Sequence, residues 1–316
     1  MTTSLRAHHF AGLLAGPRLI VLGAVHGNEV AGTRGIERVL AELDGGQWRI
    51  ERGSLTLVPI TNPLAYAKGT RFSERNLNRR LLPTERPADN EDRIANLLCP
   101  WLAAHDVLLD LHTFRGPGEP FVMRGPADNR GALEPFAHAV AEGRFAAHLG
   151  PARIVEGWMS AYAQGAARRR ARGLLDDADP SYGIGTTEYM RRCGGWGVTL
   201  ECGQHEDPRA PEVAWRAIRQ AVALLGLSED VALEAPLERF ECLRLATVVD
   251  REHEDDRFVR AWASFDALRA GQTIALRRDG TPVKAERDGR IVFPDPTARP
   301  GHEWFYLAEP SRRPLL

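Results

Sequence analysis

The chain of 316 residues carries 41 basic and 42 acidic side chains and has a formal net charge of −1. This balance excludes a large positive field, so we expect neither nucleic acid nor an anionic membrane surface as a partner. Apolar residues make up 43% of the chain, which is enough for a substantial core and argues against disorder. One large domain or two unequal domains are therefore expected.

The cysteines and the N-terminus indicate a cytoplasmic protein. The four cysteines form no CxxC pair, and their spacing does not suggest a disulfide framework. Such a pattern is typical of a reducing compartment. The N-terminus lacks the apolar core and cleavage pattern of a signal peptide, and no run approaches the ~20 apolar residues that span a bilayer.

The first predicted elements alternate between strand and helix. Residues 19–25, LIVLGAV, are apolar and rich in β-branched side chains, which predicts a strand buried on both faces. Apolar residues then recur at helical spacing over residues 29–43. Residues 55–60 predict a second strand, and residues 91–104 predict an amphipathic helix.

The same alternation continues through the middle of the chain. Residues 106–113 and 197–201 predict two further buried strands, and residues 213–227 predict a helix. We therefore predict an α/β domain over residues 1–235, with a mixed, mostly parallel sheet flanked by helices.

Two parts of the chain depart from this pattern. Residues 158–192 are rich in Gly, Ala and Arg and predict a long loop with a short helix. The arginine run at residues 168–172 is typical of a solvated surface, with a phosphate or nucleic-acid contact as the alternative. Over residues 236–316, short strand-like segments separated by Asp-Gly turns predict a small β-rich C-terminal domain.

Polar side chains stand at the carboxyl ends of the predicted strands, where open α/β sheets bind ligands. His26 and Glu29 follow the first strand and are three residues apart, so they face the same way on a helical turn. We expect Gly27 to let the backbone bend sharply between them. His112 closes another strand and supplies a second imidazole. Two histidines and one glutamate are the ligand set of a catalytic zinc site with an open fourth position.

The metal hypothesis competes with a structural interpretation. HGNE alone is compatible with a turn before a helix, and LDLH alone is compatible with a strand end. Their joint occurrence at strand ends favours a metal site. Asp110 lies two residues before His112 and on the same face of the strand, where it is placed to orient the His112 imidazole.

Glu201 closes a further strand and is the candidate general base. A carboxylate at the end of an apolar strand is partly desolvated, which raises its pKa toward the working pH. It is then suited to take a proton from zinc-activated water. A salt-bridged structural glutamate is the alternative. The adjacent Cys202 points to the other face, and we interpret it as a buried small side chain.

A polar cluster lies between residues 61 and 81, where Arg71 precedes the neighbours Asn78 and Arg79. Arginine presents a planar fork that suits carboxylates, and asparagine adds a neutral donor and acceptor. The cluster therefore suits an anionic substrate. An arginine-rich surface loop is the alternative.

Together these motifs resemble a known family. HGNE at 26–29, TNP at 61–63, KGTRF and NLNR within 68–79, DLH at 110–112 and TLECG at 199–203 occur in the order found in the succinylglutamate desuccinylase/aspartoacylase family. The tail is similar to the small C-terminal domain of succinylglutamate desuccinylases at residues 265–275 and 290–301. The resemblance implies the zinc carboxypeptidase-like fold.

The resemblance also implies roles for individual residues. One zinc ion per chain would be held by His26, Glu29 and His112, with Glu201 as the general base. Arg71 matches an arginine that, in the family, polarises the scissile carbonyl.

The substrate-binding residues implied by the resemblance are Asn78, Arg79, Arg191 and Tyr306. The first two match the pair that holds a substrate carboxylate. Arg191 lies ten positions before Glu201, as a substrate-binding arginine does in aspartoacylases, and Arg192 is an equal physical candidate. Tyr306 is the nearest counterpart of a pocket tyrosine, with His302 as its competitor.

We therefore predict a zinc-dependent amidohydrolase that acts on a small anionic N-acyl amino acid, similar to N-succinylglutamate or N-acetylaspartate. A zinc carboxypeptidase for short peptides is the nearest alternative, and a non-catalytic metal- or ligand-binding protein is another. The tail favours a succinylated substrate, whose extra charge would require arginines such as Arg115, Arg124 or Arg191. An oligomer is compatible with the sequence.

Overall fold

The computed structural model describes residues 4–173 and 179–315. The helices are α1 Ala31–Asp44, α2 Pro63–Lys68, α3 Asn90–Ala103, α4 Ala139–His148, α5 Trp158–Ala171, α6 Thr186–Arg192 and α7 Ala210–Leu224, with a 3-10 helix at Pro180–Gly183. The strands are β1 His8–Ala11, β2 Leu14–Leu22, β3 Arg52–Val58, β4 Val107–Phe114, β5 Phe121–Met123, β6 Arg153–Glu156, β7 Trp196–Gln204, β8 Glu241–Asp250, β9 Arg257–Phe258, β10 Ala267–Leu268, β11 Thr273–Leu276, β12 Pro282–Lys284, β13 Gly289–Val292 and β14 Glu303–Pro310.

A mixed sheet organises the described part of the chain, with eleven strands in the order β1-β3-β2-β4-β7-β5-β6-β8-β14-β13-β10. Strands β3, β2, β4 and β7 are parallel neighbours, and so are β5, β6 and β8. Strand β1 is antiparallel to β3, and β5 is antiparallel to β7. The predicted α/β fold, with a mixed sheet that is mostly parallel up to β6 and flanked by helices, is confirmed.

The central strand β4 is buried along its whole length. Leu109 and Leu111 point to one face of the sheet and pack in a cluster with α1 and α7, whereas Leu108 points to the other face and packs with α3. Successive side chains of a strand alternate between faces, so Asp110 and His112 share the face of Leu108. The pattern LLDLH thus supplies apolar side chains to both helical layers and polar side chains to one of them.

The C-terminal strands extend the same sheet beyond β6. Strand β8 pairs in parallel with β6, and β14, β13 and β10 follow in antiparallel order. Strands β12, β11 and β9 form a separate three-stranded sheet. The predicted β-rich character of this region is confirmed. The expected boundary at residues 235 and 236 falls between α7 and β8, and a division into two domains there stays a prediction.

The predicted loop over residues 158–192 is wrong where the structure describes it. Helix α5 has 14 residues, and α6 follows after the 3-10 helix, while residues 174–178 of this segment lie outside the described residues. Small residues let α5 lie close to β8, since a Cβ added at Gly165 would be 2.6 Å from the Val248 side chain. The pattern is that of a close-packed helix without a broad apolar stripe.

The predicted solvated surface at residues 168–172 is also wrong in part. Arg170 and Arg172 are exposed, but Arg169 is only 1% exposed. Arg169 lies on the side of α5 that packs against the sheet, with Asp250 and Glu303 as its ionic partners. These two carboxylates come from β8 and β14, so the sequence around Arg169 does not reveal them.

Among the described residues, no helix combines the length and apolar character that crossing a membrane requires. The four cysteines all fall within the described residues and carry free thiols, as the sequence predicts.

The two faces of β4 lead to a test of core packing. Replacing the buried Leu109 by alanine leaves a cavity between β4 and its helices, so we expect the free energy of unfolding to fall by about 2–5 kcal/mol. The matched control is Leu97→Ala, because Leu97 is a half-exposed leucine on α3 and should change stability by less than about 0.5 kcal/mol. Urea denaturation of both variants measures the difference, and equal losses would contradict this description of the core.

Candidate active site

The chain makes a constrained turn directly after β2. Ala24 has a φ of 47°, in the left-handed region that residues other than glycine rarely adopt. Two backbone hydrogen bonds hold this turn, because the Thr61 and Asn62 N–H groups donate to the carbonyls of Gly23 and Ala24 at 2.9 and 3.0 Å. The TNP segment therefore braces the turn that directs residues 26–29 over the sheet edge.

Gly27 is required for a different reason from the one we expected. It is not among the glycines with positive φ, so a sharp bend does not explain it. A Cβ at this position would lie 2.1 Å from the carbonyl carbon of Ala65 and 2.2 Å from the Tyr66 nitrogen. The backbone of α2 thus passes so close that only glycine fits between His26 and the residues that follow.

His26, Glu29 and His112 converge at the carboxyl ends of β2 and β4, and we call these three residues the metal-type cluster. Their candidate ligand atoms all lie within 4.8 Å of one another, and all three side chains are buried. One carboxylate oxygen of Glu29 lies 2.8 Å from His26 Nδ1, and the other lies 2.9 Å from His112 Nδ1. The Thr113 backbone N–H also donates to Glu29, at 3.1 Å.

The far side of each imidazole has its own oxygen partner. His112 Nε2 lies 2.9 Å from Asp110 Oδ2, as the shared strand face predicts. His26 Nε2 lies 2.9 Å from Asn76 Oδ1, and this oxygen also accepts the Asn78 backbone N–H. Asn76 Oδ1 is thus an acceptor, so His26 donates from Nε2 and directs its Nδ1 lone pair at Glu29. Oxygen partners of this kind orient metal-binding histidines.

The charges of the cluster suit a bound cation. Burial and the nearby Arg71 lower the pKa of His26 to about 4, so this imidazole is neutral near pH 7. Its Nδ1 lone pair then faces a carboxylate oxygen, which is an arrangement of two acceptors. A cation between these atoms would satisfy both. The donor set of two imidazoles and a carboxylate fits zinc, so these residues meet the requirements of a zinc site.

The other two members of the cluster are tied by charge. Burial alone would lower the pKa of His112, but the Asp110 and Glu29 carboxylates outweigh it and hold that pKa well above its usual value. Burial alone would raise the pKa of Glu29, but His26 and His112 hold it well below its usual range. Glu29 is therefore a carboxylate that both imidazoles share.

Glu201 lies beside this cluster because of the strand register. Strands β4 and β7 are parallel, and Glu201 pairs directly with His112. Its side chain is buried and lines a cavity that His26, Glu29 and His112 also line. Its Oε2 atom has no hydrogen-bond partner among the described residues. Burial and the nearby Glu29 raise its pKa to about 8, against the opposing effect of His112. This carboxyl group is suited to exchange a proton with a ligand.

The loop from Arg71 to Arg79 is organised by a buried carboxylate that sequence reasoning missed. Glu91, in the first turn of α3, accepts the Asn62 side-chain amide and the backbone N–H groups of Ser73, Glu74 and Arg75. These bonds fix the start of the loop against α3. Because the partners of Glu91 are mostly backbone groups, no side-chain motif in the sequence predicts these contacts.

The predicted substrate residues of this loop reach the cavity. Arg71 lines it and donates from Nη1 to Glu29 at 2.8 Å, so the structure brings it to the metal-type cluster. Asn78 accepts the Thr186 N–H through Oδ1 at 2.9 Å. Arg79 lies over the Trp158 ring, with 4.7 Å from the guanidinium carbon to the ring centroid. The three side chains thus line one cavity.

Arg191 lines the cavity, and its substrate role stays a prediction. This side chain is buried, and its N–H groups donate to Glu134, Glu142, Glu188 and the Gly197 carbonyl. Its guanidinium therefore already has hydrogen-bond acceptors within the protein. Arg192, the alternative, is exposed and does not line the cavity.

Of the two C-terminal candidates, Tyr306 lines the cavity and His302 does not. Tyr306 is buried against the Trp158 ring, with 5.6 Å between ring centroids. Burial raises the pKa of its phenol well above the usual value, so it is a neutral donor. His302 is exposed at the start of β14.

The cavity has a volume of about 640 Å³, which suits a small molecule. Its wall combines the strand-end residues with residues of the C-terminal strands, including Phe293, Glu303 and Tyr306. Sequence reasoning missed His205, which lines the cavity and lies 2.7 Å through Nδ1 from the Thr113 hydroxyl. Its position four residues after Glu201 on the same strand end was the available signal.

Residues 15–123 match the family model of the succinylglutamate desuccinylase/aspartoacylase catalytic domain. The predicted resemblance to this family is confirmed. No curated protein sequence matches the chain significantly. The match covers β2, β4 and the loop between them that carries Arg71 and Arg79, so it includes the three residues of the metal-type cluster.

Solved structures share the fold over most of the chain. The succinylglutamate desuccinylase/aspartoacylase of Rhodobacter sphaeroides is 18% identical with a TM-score of 0.71, covering 98% of this chain and 90% of that one. The succinylglutamate desuccinylase of Chromobacterium violaceum is 20% identical with a TM-score of 0.68, covering 98% and 89%. The product-bound ectoine utilization protein EutE (DoeB) of Ruegeria pomeroyi is 21% identical with a TM-score of 0.68, covering 93% and 85%. The family match and this fold support a hydrolase of the deacylase/aspartoacylase type.

The close approach at Gly27 gives a test of the site. In Gly27→Ala the added methyl group must displace α2 or the His26 loop, so we expect a loss of about 1–3 kcal/mol in the free energy of unfolding. Because His26 moves with the loop, we also expect zinc affinity to fall by roughly tenfold or more. Denaturation and competition with a chromogenic chelator measure the two effects.

Gly116→Ala is the matched control, because a Cβ there meets its nearest neighbour at an ordinary 3.4 Å. If Gly27→Ala has the stability and the zinc affinity of the wild type, the close approach of α2 does not require glycine at this position.

Proposed function

We propose that this chain is a zinc-dependent amidohydrolase that cleaves the amide bond of N-acyl amino acids similar to N-succinylglutamate or N-acetylaspartate. The observation that carries the proposal is the buried cluster of His26, Glu29 and His112 beside Glu201, whose Oε2 atom has no partner among the described residues. Metal ligands and a proton acceptor thus share one cavity, which is the requirement for metal-assisted hydrolysis.

His26, Glu29 and His112 would hold one zinc ion per chain. When bound, zinc activates water and polarises the acyl carbonyl. Glu201 takes the proton of the attacking water at its unpartnered Oε2 and passes it to the departing amine. The raised pKa of this carboxyl group suits it to both directions of proton transfer.

Two cationic side chains act on opposite ends of the substrate. Arg71, at the rim of the cluster, stabilises the negative charge that develops on the acyl oxygen. Asn78 and Arg79 hold the amino-acid carboxylate, and Tyr306 with Trp158 forms the wall beside them. Because Arg191 is satisfied by three glutamates, it has a structural role in this proposal.

A second carboxylate on the substrate would be held by Arg115. Of the three arginines considered for this role, Arg124 donates to the backbone of Pro314 and Arg313, and Arg191 donates to glutamates. The Arg115 side chain is 59% exposed and lines the cavity beside Asp295. A succinyl or aspartyl carboxylate would compete there with a weak surface ion pair to Asp295 and with the hydrogen bond that Arg115 donates to the Thr297 hydroxyl.

Deacylation is preferred over the carboxypeptidase alternative because of the cavity wall. Residues of the C-terminal strands, among them Phe293 and Tyr306, line the same cavity as the metal-type cluster. A wall of this kind favours a short acyl chain over an extended peptide. A cytoplasmic location and the absence of nucleic-acid or membrane partners stay predictions.

A substrate panel with a base variant tests the reaction. The zinc-loaded protein is assayed for amine release from acetyl, succinyl and formyl amino acids and from short peptides. We expect release from one acyl class and a loss of about 10²–10⁴-fold in kcat for Glu201→Ala, which removes the proton acceptor. Glu206→Ala is the control, because Glu206 is an exposed glutamate on the loop after Glu201.

Each outcome of the panel assigns a different function. Cleavage of peptides alone would favour the carboxypeptidase, and binding without hydrolysis by the zinc-loaded protein would favour a binding protein. Activity of Glu201→Ala within a few-fold of the wild type would remove the general-base role.

The zinc content of variants tests the ligand assignment independently of turnover. We expect about one zinc per chain in the wild type and a loss of bound zinc in Glu29→Gln, because the neutral amide removes the anionic ligand. His205→Ala should keep its zinc, since His205 contacts Thr113 and does not belong to the cluster. Metal analysis after dialysis decides the matter, and zinc retained by Glu29→Gln would contradict the assignment.

A further inference from the structure

A buried arginine lies behind the cavity wall that Tyr306 and Trp158 form, and the proposed reaction does not use it. Arg169 of α5 is 1% exposed, and none of its guanidinium nitrogens has a hydrogen-bond partner among the described residues. It has two ionic contacts, from Nη2 to Glu303 and from Nε to Asp250, each at 3.5 Å. Two ionic contacts at 3.5 Å and the face of the Tyr162 ring compensate this buried cation only in part, so stability alone does not explain the residue.

The two carboxylates that Arg169 contacts are a cross-strand pair. Glu303 of β14 and Asp250 of β8 are direct register partners in the antiparallel ladder. Like charges directly opposite each other in a sheet repel. Arg169 therefore acts as their shared counter-ion, and Gly165 lets α5 come close enough for this contact, since a Cβ there would lie 3.0 Å from Arg169 Nη2.

Glu303 links this buried group to the cavity. Its side chain is 23% exposed, and it lines the cavity with Arg79. Burial alone would raise the pKa of Glu303, but Arg79 and Arg169 outweigh it and lower that pKa. Glu303 is likewise the strongest of the charges that raise the pKa of Arg79 against the effect of burial. Glu303 thus contacts Arg169 behind the wall and lies near enough to Arg79 in the wall for their charges to interact.

Arg169 lies between the interior and the cavity wall. It contacts both Asp250 and Glu303, and Glu303 lines the cavity together with Arg79 and Asn78. A carboxylate that neutralises Arg79 weakens its attraction for the carboxylate of a ligand. How strongly Glu303 does so depends on how strongly Arg169 holds it.

We infer that Arg169 is a positioning residue that sets the carboxylate affinity of Arg79 by holding Glu303. The inference rests on the proposed function in one respect, namely that Arg79 holds the carboxylate of an N-acyl amino acid. Without Arg169, Glu303 has mainly Arg79, on the cavity side, as its counter-ion and neutralises the charge of Arg79 more fully. The affinity for a ligand carboxylate then falls, while proton transfer at Glu201 is unaffected.

The test compares a ligand that has the α-carboxylate with one in which this group is an amide, while both ligands keep the β-carboxylate. N-acetyl-L-aspartate and its α-carboxamide are titrated calorimetrically into the zinc-loaded Glu201→Ala protein, with and without Arg169→Met. We expect Arg169→Met to raise the Kd of the carboxylate ligand by about tenfold, which corresponds to about 1.4 kcal/mol. The Kd of the carboxamide should change by less than about twofold.

Matched variants separate positioning from structural support. Arg169→Lys keeps the charge and should restore most of the affinity. Arg172→Met removes an exposed arginine of the same helix end, paired with Glu252 at 2.8 Å, and should leave both ligands unaffected. In a Glu303→Gln background, Arg169→Met should have no further effect on carboxylate binding, because the coupled group is absent.

Glu303→Gln alone keeps the inference testable if Arg169→Met does not fold. It should tighten carboxylate binding, since Arg79 then keeps its full charge. Weaker carboxylate binding by Glu303→Gln would overturn the inference. So would an equal loss of affinity for both ligands in Arg169→Met, or an Arg169→Met effect that stays the same in the Glu303→Gln background.

The same experiment distinguishes the two proposals. If the parent protein binds N-acetyl-L-aspartate and its carboxamide equally, the carboxylate subsite and this inference are both wrong. If the carboxylate is preferred and Arg169→Met changes nothing, only the inference fails. If the Arg169 effect is present but the Glu201-containing protein hydrolyses no N-acyl amino acid, the inference stands and the proposed reaction fails.

Discussion

The Glu29 carboxylate is the contact on which the rest of the site depends. Its two oxygens face His26 Nδ1 and His112 Nδ1, and it also accepts bonds from Arg71 and the Thr113 backbone. A buried carboxylate needs this much positive or hydrogen-bonding compensation, because desolvation would otherwise neutralise it. The requirement brings β2, β4 and the Arg71 loop to one point.

Further layers of the structure hold these contacts in place. Backbone bonds from Thr61 and Asn62 fix the turn before His26, and Glu91 fixes the loop that follows Arg71. The register of β4 and β7 then puts Glu201 beside His112. These supports rely mainly on backbone groups and strand pairing, so the candidate catalytic side chains are held by the fold itself.

Much of the fold and of the metal-type cluster could be predicted from the sequence. The strands at residues 19–25, 106–113 and 197–201 are apolar runs long enough to be distinctive, and the polar residues at their ends mark the sheet edge. Strands β5 and β6 have three and four residues, too few for a clear period. They were not predicted for that reason.

What the sequence did not reveal depends on contacts between distant parts of the chain. Arg191 matched a substrate residue by spacing, but its guanidinium pairs with Glu188 of its own helix and with the sequence-distant Glu134 and Glu142. Arg169 lies in an arginine run that is typical of a surface, but its counter-ions come from β8 and β14. Charge in the sequence predicts exposure only when no buried partner exists elsewhere, and local patterns cannot identify such a partner.

The most direct test of the central claim is anomalous diffraction at the zinc edge from crystals of the zinc-loaded protein. We expect one strong peak per chain, about 2.0–2.2 Å from His26 Nδ1, His112 Nδ1 and a Glu29 oxygen. A peak at other residues, or zinc-loaded crystals without a peak in this cavity, would contradict the claim.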